Sequence, residues 1–102
     1  MIDFRLSKEA GNDLEGIYDF IAQSDPLAAS AYVQEFLDLF RLMVSSPGMG
    51  RLRPDLRPGV RSHVYGYYVI IYKEKAEYIH VSRIIHGARD VKRVLEEESY
   101  GE

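Results

Sequence analysis

Three patterns of apolar and polar residues follow one another along the chain, and each predicts a different element. Ile2, Phe4 and Leu6 alternate with Asp3 and Arg5, the period of a half-buried strand. Ser7 comes next and predicts a helix start, because its hydroxyl accepts from a backbone N–H that has no intrahelical partner. Ala10, Leu14, Ile17, Tyr18 and Ile21 then fall within an arc of about 100° on a helical wheel, with Asn12, Asp13, Glu15 and Asp19 outside it. This narrow stripe predicts one helix ending near Ser24. Asp25 and Pro26 restart a helix, the aspartate as cap and the proline at the first position, where its missing N–H is not needed. Ala29, Tyr32, Val33, Phe36, Leu37, Leu39, Phe40 and Met43 give this second helix an apolar face about 160° wide. The link between the two is so short that they must form an antiparallel hairpin. The wider second face predicts contact with both a sheet and the partner helix, and Phe36, Phe40 and Met43 read as core.

Ser45 to Gly48 end the hairpin. The stretch from Pro47 to Gly59 holds three prolines, three glycines and Arg51, Arg53 and Arg57, and reads as a basic loop rich in turns. Val60, Ser62 and Val64 alternate with Arg61, His63 and Tyr65, Gly66 marks a tight turn, and Tyr67 to Tyr72 is a β-branched and aromatic strand. A polar loop from Lys73 to Glu77 leads to a last strand, Tyr78 to Ile85. Strict alternation assigns Ile79, Val81, Arg83 and Ile85 to one face and Tyr78, His80, Ser82 and Ile84 to the other. From Ala88 onward, Val91, Val94 and Leu95 recur at helical spacing. The order β-α-α-β-β-β plus a short C-terminal helix is an α+β arrangement, with the helical hairpin packed on an antiparallel sheet. The last three strands form a meander. The pattern does not fix where the first strand enters the sheet.

At 102 residues the chain is one domain, residues 1–102, able to bury roughly two-thirds of its unfolded surface. A 46% hydrophobic and 28% charged composition excludes disorder as the main state. The absence of cysteine removes disulfides and thiolate chemistry and fits a cytoplasmic location. No apolar run reaches membrane-spanning length, and the N-terminus lacks the apolar stretch of a signal peptide. The net charge of -3 argues against a general nucleic-acid coat but hides an asymmetry. Residues 1–40 carry two basic and eight acidic side chains, residues 41–95 eleven and four, and residues 96–102 four acidic ones. The first third is therefore acidic and the middle basic, and the acidic tail either folds back on that middle or extends into solvent.

Candidate chemistry is sparse. His63, His80 and His86 are scattered, with no carboxylate at ligand spacing, so no metal is expected. No Gly-x-Ser-x-Gly elbow and no glycine-rich phosphate loop ahead of a helix are present, and no cofactor is expected. The cations say more. Arg51, Arg53, Arg57 and Arg61 lie on the loop and the strand after it, and Arg83, Arg89, Lys92 and Arg93 on the last strand and the segment behind it. If the meander aligns them they form one basic patch, ringed by histidine and tyrosine, that suits an acidic protein surface or a phosphate backbone. Otherwise they form a solvated face balancing the acidic helices. His86 has the pKa range of an acid or base near neutral pH, but with no second, clearly placed base it reads first as a histidine hydrogen-bonding backbone ahead of Gly87. Arg89 and Asp90 suit an ion pair at a helix start, where an aspartate also meets the positive dipole end. Tyr65, Tyr67, Tyr68, Tyr72 and Tyr78 read first as cross-strand packing.

The order of pieces resembles the RelE/ParE superfamily of bacterial toxins, and within it the ParE branch. The resemblance runs through Leu6, Ser7 and Ala10, then Asp13, Leu14, Ile17 and Tyr18. It continues with Pro47 to Arg51, then Leu56 with Gly59 to Arg61, then Tyr68 to Tyr72, and closes on the run RIIHGARD from Arg83 to Asp90. It implies the toxin of a type II toxin-antitoxin system that inhibits DNA gyrase, and hence replication, without catalysis. The cognate ParD-like antitoxin would neutralise it in a heterocomplex and would itself supply any DNA binding. The target-contacting residues are then expected among Arg83, His86, Arg89, Lys92 and Arg93. The antitoxin, folding on binding, is expected on Tyr32, Phe36, Arg51, Arg53, Arg61 and Tyr65. The RelE branch implies the alternative, a ribosome-dependent messenger-RNA endonuclease using Arg61, Arg83 and His86. The acidic helices suit ribosomal RNA poorly, which favours the ParE branch.

Overall fold

The computed structural model describes residues 3–87 and 89–99. Ile2 of the expected first strand, Ala88 at the expected start of the last helix, and the end of the acidic tail lie outside the described residues. The chain runs β1 (Asp3–Leu6), α1 (Lys8–Ala22), α2 (Pro26–Ser45), a short 3-10 turn (Pro47–Met49), β2 (Arg51–Leu52), β3 (Val60–Tyr65), β4 (Tyr68–Glu74), β5 (Tyr78–His86) and α3 (Val91–Ser99). Both helix starts have the expected caps. Ser7 Oγ accepts from the Ala10 N–H at 3.0 Å, and Asp25 Oδ1 accepts from the Ala28 N–H at 3.1 Å, with Pro26 opening α2.

The five strands form one mixed sheet in the order β1-β5-β4-β3-β2. β3, β4 and β5 are the antiparallel meander read from the sequence, whereas β1 pairs parallel with β5, Phe4 opposite Ile79 and Leu6 opposite Val81. β2, two residues long, lies in the stretch expected to be loop and pairs Arg51 with Ser62. Gly66, at φ +59°, makes the β3–β4 turn. A Cβ there would also stand 2.6 Å from Tyr32 Oη, so α2 packs on a turn that needs glycine.

One feature of β5 departs from strict alternation. Ile71 lies opposite Arg83 and Tyr72 opposite Val81, which leaves Ser82 as the extra residue of a β-bulge. The bulge switches faces beyond it: Ile79, Val81 and Ile84 face the helical hairpin, and Ile85 faces the other side. The expected faces, Ile79, Val81, Arg83 and Ile85 on one side and Tyr78, His80, Ser82 and Ile84 on the other, are therefore corrected at Ile84 and Ile85, which exchange sides.

The hairpin face holds the larger core. Ala10, Leu14 and Ile17 of α1 and Phe36, Phe40 and Met43 of α2 pack on Ile70, Tyr72, Ile79, Val81 and Ile84. Each large apolar side chain buried this way stabilises the fold by roughly 1.5–3 kcal/mol. On the opposite face α3 sets Val94 against Val60, Ile71 and Ile85, with Leu56, Val69, Val91 and Leu95 at its rim. The hairpin thus covers one face, as expected, and the C-terminal helix lies across part of the other.

Candidate functional site

Two surfaces carry the residues singled out in the sequence. The first is built where β5 ends and α3 begins. His86 is exposed and paired across the sheet with Tyr68. Its ring lies parallel to that of Tyr67, centroids 6.4 Å apart, and edge-on to Tyr68 at 5.5 Å. Tyr67 is 78% exposed, so the stack is an aromatic step at the surface. The chain is fixed here by its backbone: the Gly87 N–H donates to Tyr67 O at 2.7 Å and the Arg89 N–H to His86 O at 2.9 Å. Asp90 then caps α3, its carboxylate accepting from the Arg93 N–H at 3.2 Å.

Arg89, Lys92 and Arg93 are all exposed around this helix start. Cations at a helix N-terminus oppose the macrodipole, so Lys92 and Arg93 do not serve the stability of α3. Arg93 Nε reaches Glu97 Oε1 at 3.4 Å, a solvent-exposed pair worth little.

Arg83 does not join them. It is only 9% exposed, and its guanidinium grips Asp13 on α1, Nε to Oδ2 at 2.6 Å and Nη2 to Oδ1 at 3.0 Å. Asp13 Oδ2 also accepts from the Ile84 N–H at 2.9 Å, beside the bulge. The pair ties the first helix to the last strand. Its partner was legible only as a border position: Asp13 lies three residues after Ala10 and four before Ile17, at the edge of the apolar stripe.

The second surface runs from α2 to the β2 edge. Tyr32, Phe36, Tyr65 and Tyr68 form an aromatic cluster, with Phe36 and Tyr65 centroids 5.4 Å apart and Tyr32 and Tyr65 6.0 Å apart. Tyr65 Oη donates to Glu35 Oε2 at 2.7 Å, and that hydrogen bond pushes its pKa up to about 12. Burial, with Tyr68 beside it, raises the Tyr32 pKa too. Phe36 is 0% exposed, so its expected place on a partner surface is corrected: it is core beneath Tyr32 and Tyr65.

The arginines of this region are mostly in use. Arg53 holds Asp55 through two bonds, 3.1 and 2.9 Å, and reaches Ser62 Oγ at 3.3 Å. The pair raises the Arg53 pKa and lowers that of Asp55. Arg61 Nη1 donates to Gly50 O at 2.8 Å. The Gly50 N–H in turn donates to Tyr72 Oη at 2.7 Å, and Tyr72 donates to Pro47 O at 2.9 Å. A Cβ on Gly50 would fall 2.5 Å from Tyr72 Oη, so this knot requires glycine. Arg51 and Leu52 stay exposed on the edge strand.

Arg61, Arg83 and His86 therefore do not converge. Arg61 shares a register row with Tyr72 and Val81, and His86 one with Tyr68 and Tyr65. Those rows are four residues apart along β3, roughly 13 Å. Two of the three side chains are already held, by Gly50 O and by Asp13. Among the described residues no cluster of three or more His, Asp or Glu is placed to hold a metal ion, and no helix is long and apolar enough to cross a membrane.

Residues 4–91 match the family described as the ParE toxin of the type II toxin-antitoxin system parDE. This chain belongs to the ParE toxin family. Toxin ParE1 of Caulobacter vibrioides is 27% identical over 96 residues, covering 93% of this chain and 99% of the relative. Toxin ParE3 of the same organism is 24% identical over 90 residues, covering 87% and 90%. A solved chain from the chromosomal ParDE system of P. aeruginosa superposes with a TM-score of 0.68 at 25% identity, covering 84% of this chain and 96% of that one. The ParE match spans both surfaces up to Val91 and stops at the start of α3, short of Lys92 and Arg93.

Proposed function

We propose that this ParE-family toxin inhibits DNA gyrase by binding it, and that His86, Arg89, Lys92 and Arg93 make the contact. Family membership over residues 4–91 carries the reading. The geometry supports it in two ways: the cations at the start of α3 are exposed, Arg93 making a weak solvent-exposed pair with Glu97, and Arg61, Arg83 and His86 are not gathered into an acid–base set. A ParD-like antitoxin neutralises the toxin. Its docking surface is the Tyr32–Tyr65 aromatic rim and the β2 edge with Arg51, whose open backbone groups suit an added strand. Arg53 and Arg61 shape that edge through Asp55, Ser62 and Gly50 rather than meeting the partner with free charge. The complex works in the cytoplasm.

Titration into a purified gyrase supercoiling reaction tests this. Supercoiling falls as toxin is added and recovers when the product of the neighbouring antitoxin frame is supplied. Full supercoiling at excess folded toxin would sink the proposal. The alternative, ribosome-dependent cleavage of messenger RNA, draws on the exposed His86–Tyr67 stack. It predicts cut transcripts in a translation extract, abolished by His86→Ala.

A further inference from the structure

Among the described residues the fold leaves two phenylalanine or tyrosine side chains exposed, Tyr67 in the β3–β4 turn and Phe20 on α1, the latter 71% exposed. Phe20 belongs to neither core. A Cβ on Gly16, one turn before it, would meet nothing within 4 Å, so the helix surface beside the ring is open. The course of α1 carries Phe20 to the same end of the molecule as Tyr67. The Ser7 N–H donates to Val81 O at 2.9 Å and the Asp13 carboxylate accepts from the Ile84 N–H, so α1 runs alongside β5 in the same direction. Phe20 lies seven residues past Asp13, on the same side of the helix and about 10 Å further along it. Three residues of β5 cover about the same distance, which brings Phe20 level with Gly87, whose N–H donates to Tyr67 O. Phe20, the Tyr67–His86 stack and the exposed Arg89 thus share one end of the fold, with Lys92 and Arg93 following on α3.

We infer that Phe20 and Tyr67 are the apolar anchors of the target contact, and that they fit a protein surface offering a hydrophobic pocket with carboxylates on the side that meets α3. Protein interfaces concentrate their binding energy in a few aromatic and arginine side chains, with weaker polar contacts around them. The phenyl ring of Phe20 has no polar group to satisfy in water, so burying it on a partner is a net gain. Arg89, Lys92 and Arg93 beside it supply the charge complementarity to an acidic rim. The inference rests on the gyrase reading and adds to it α1, an element from which that reading takes no contact.

Binding of the full-length protein to purified gyrase, measured by surface plasmon resonance beside the denaturation midpoint, tests it. Phe20→Ala and Tyr67→Ala each weaken binding by about tenfold or more with the midpoint unchanged. Leu42→Ala, which removes an exposed apolar side chain near the opposite end of the hairpin, stays within about twofold of wild type. The loss from Phe20→Ala persists as salt is raised from about 0.1 to about 0.5 M, whereas the loss from Arg89→Glu shrinks. Phe20→Ala or Tyr67→Ala binding like wild type, or a Phe20→Ala loss that disappears at high salt, overturns the inference and leaves the gyrase reading standing. Wild type that does not bind gyrase removes both. A DNA duplex bound by wild type alone and released by Phe20→Ala would assign these rings to nucleic acid and overturn the protein partner.

Discussion

The two faces of the sheet are built to different standards. Among the described residues the hairpin face is closed by eleven buried side chains from both helices and two strands, β4 and β5, four of them aromatic or methionine and wholly out of solvent. The α3 face is closed by four, with its rim half-exposed, its helix short, and cations at the wrong end of the helix dipole. A helix of nine residues has little stability apart from its packing. The contrast divides the molecule: the hairpin face holds the fold, and the α3 end leaves Arg89, Lys92 and Arg93 exposed.

The largest expected effect lies on the hairpin face. Phe40→Ala lowers unfolding free energy by about 3–5 kcal/mol in denaturant titration, whereas Val94→Ala costs about 1 kcal/mol or less because α3 detaches before the sheet opens. Similar losses from both would erase the distinction. Asp13→Ala comes next, at about 3 kcal/mol, since it leaves the Arg83 guanidinium in a largely buried site without its carboxylate. A cost below about 1 kcal/mol would make the tether decorative. Tyr72→Phe orphans the Gly50 N–H and Pro47 carbonyl and costs about 1–3 kcal/mol, read as a lowered thermal midpoint.

The smallest effect is pH-dependent. The Tyr65 pKa is raised from 10.0 to about 12 by its bond to Glu35, so its phenol contributes stability in full below pH 10 and loses it as the pH rises through 12. Wild type therefore converges on Tyr65→Phe between those values in thermal melts. Parallel curves across that window would remove the Tyr65–Glu35 bond from the account.

Much of this architecture was legible because it rests on local rules. Ser7, Asp25 and Pro26 announce their helices through capping chemistry, and the periods of α1, α2 and the meander follow from which side chains meet the core. The parts that stayed hidden depend on distant partners. β1 joins β5 across more than seventy residues, and nothing in Phe4 or Leu6 names Ile79 or Val81 as neighbours. One extra residue, Ser82, turns Ile85 to the other face without disturbing the apolar pattern that would reveal it. At the candidate surfaces, Arg83 looked like part of a basic patch because charge is visible in a sequence and its partner Asp13 is not. Phe36 was legible as core from its helical spacing, and its spacing, rather than the aromatic company of Tyr32 and Tyr65, proved the better guide.

The most direct measurement pairs two readouts on one variant, Arg89→Glu/Lys92→Glu/Arg93→Glu: the denaturation midpoint and inhibition of gyrase supercoiling. The account predicts an almost unchanged midpoint, because these side chains are exposed, with inhibition weakened by about tenfold or more. Undiminished inhibition by the folded variant would contradict it.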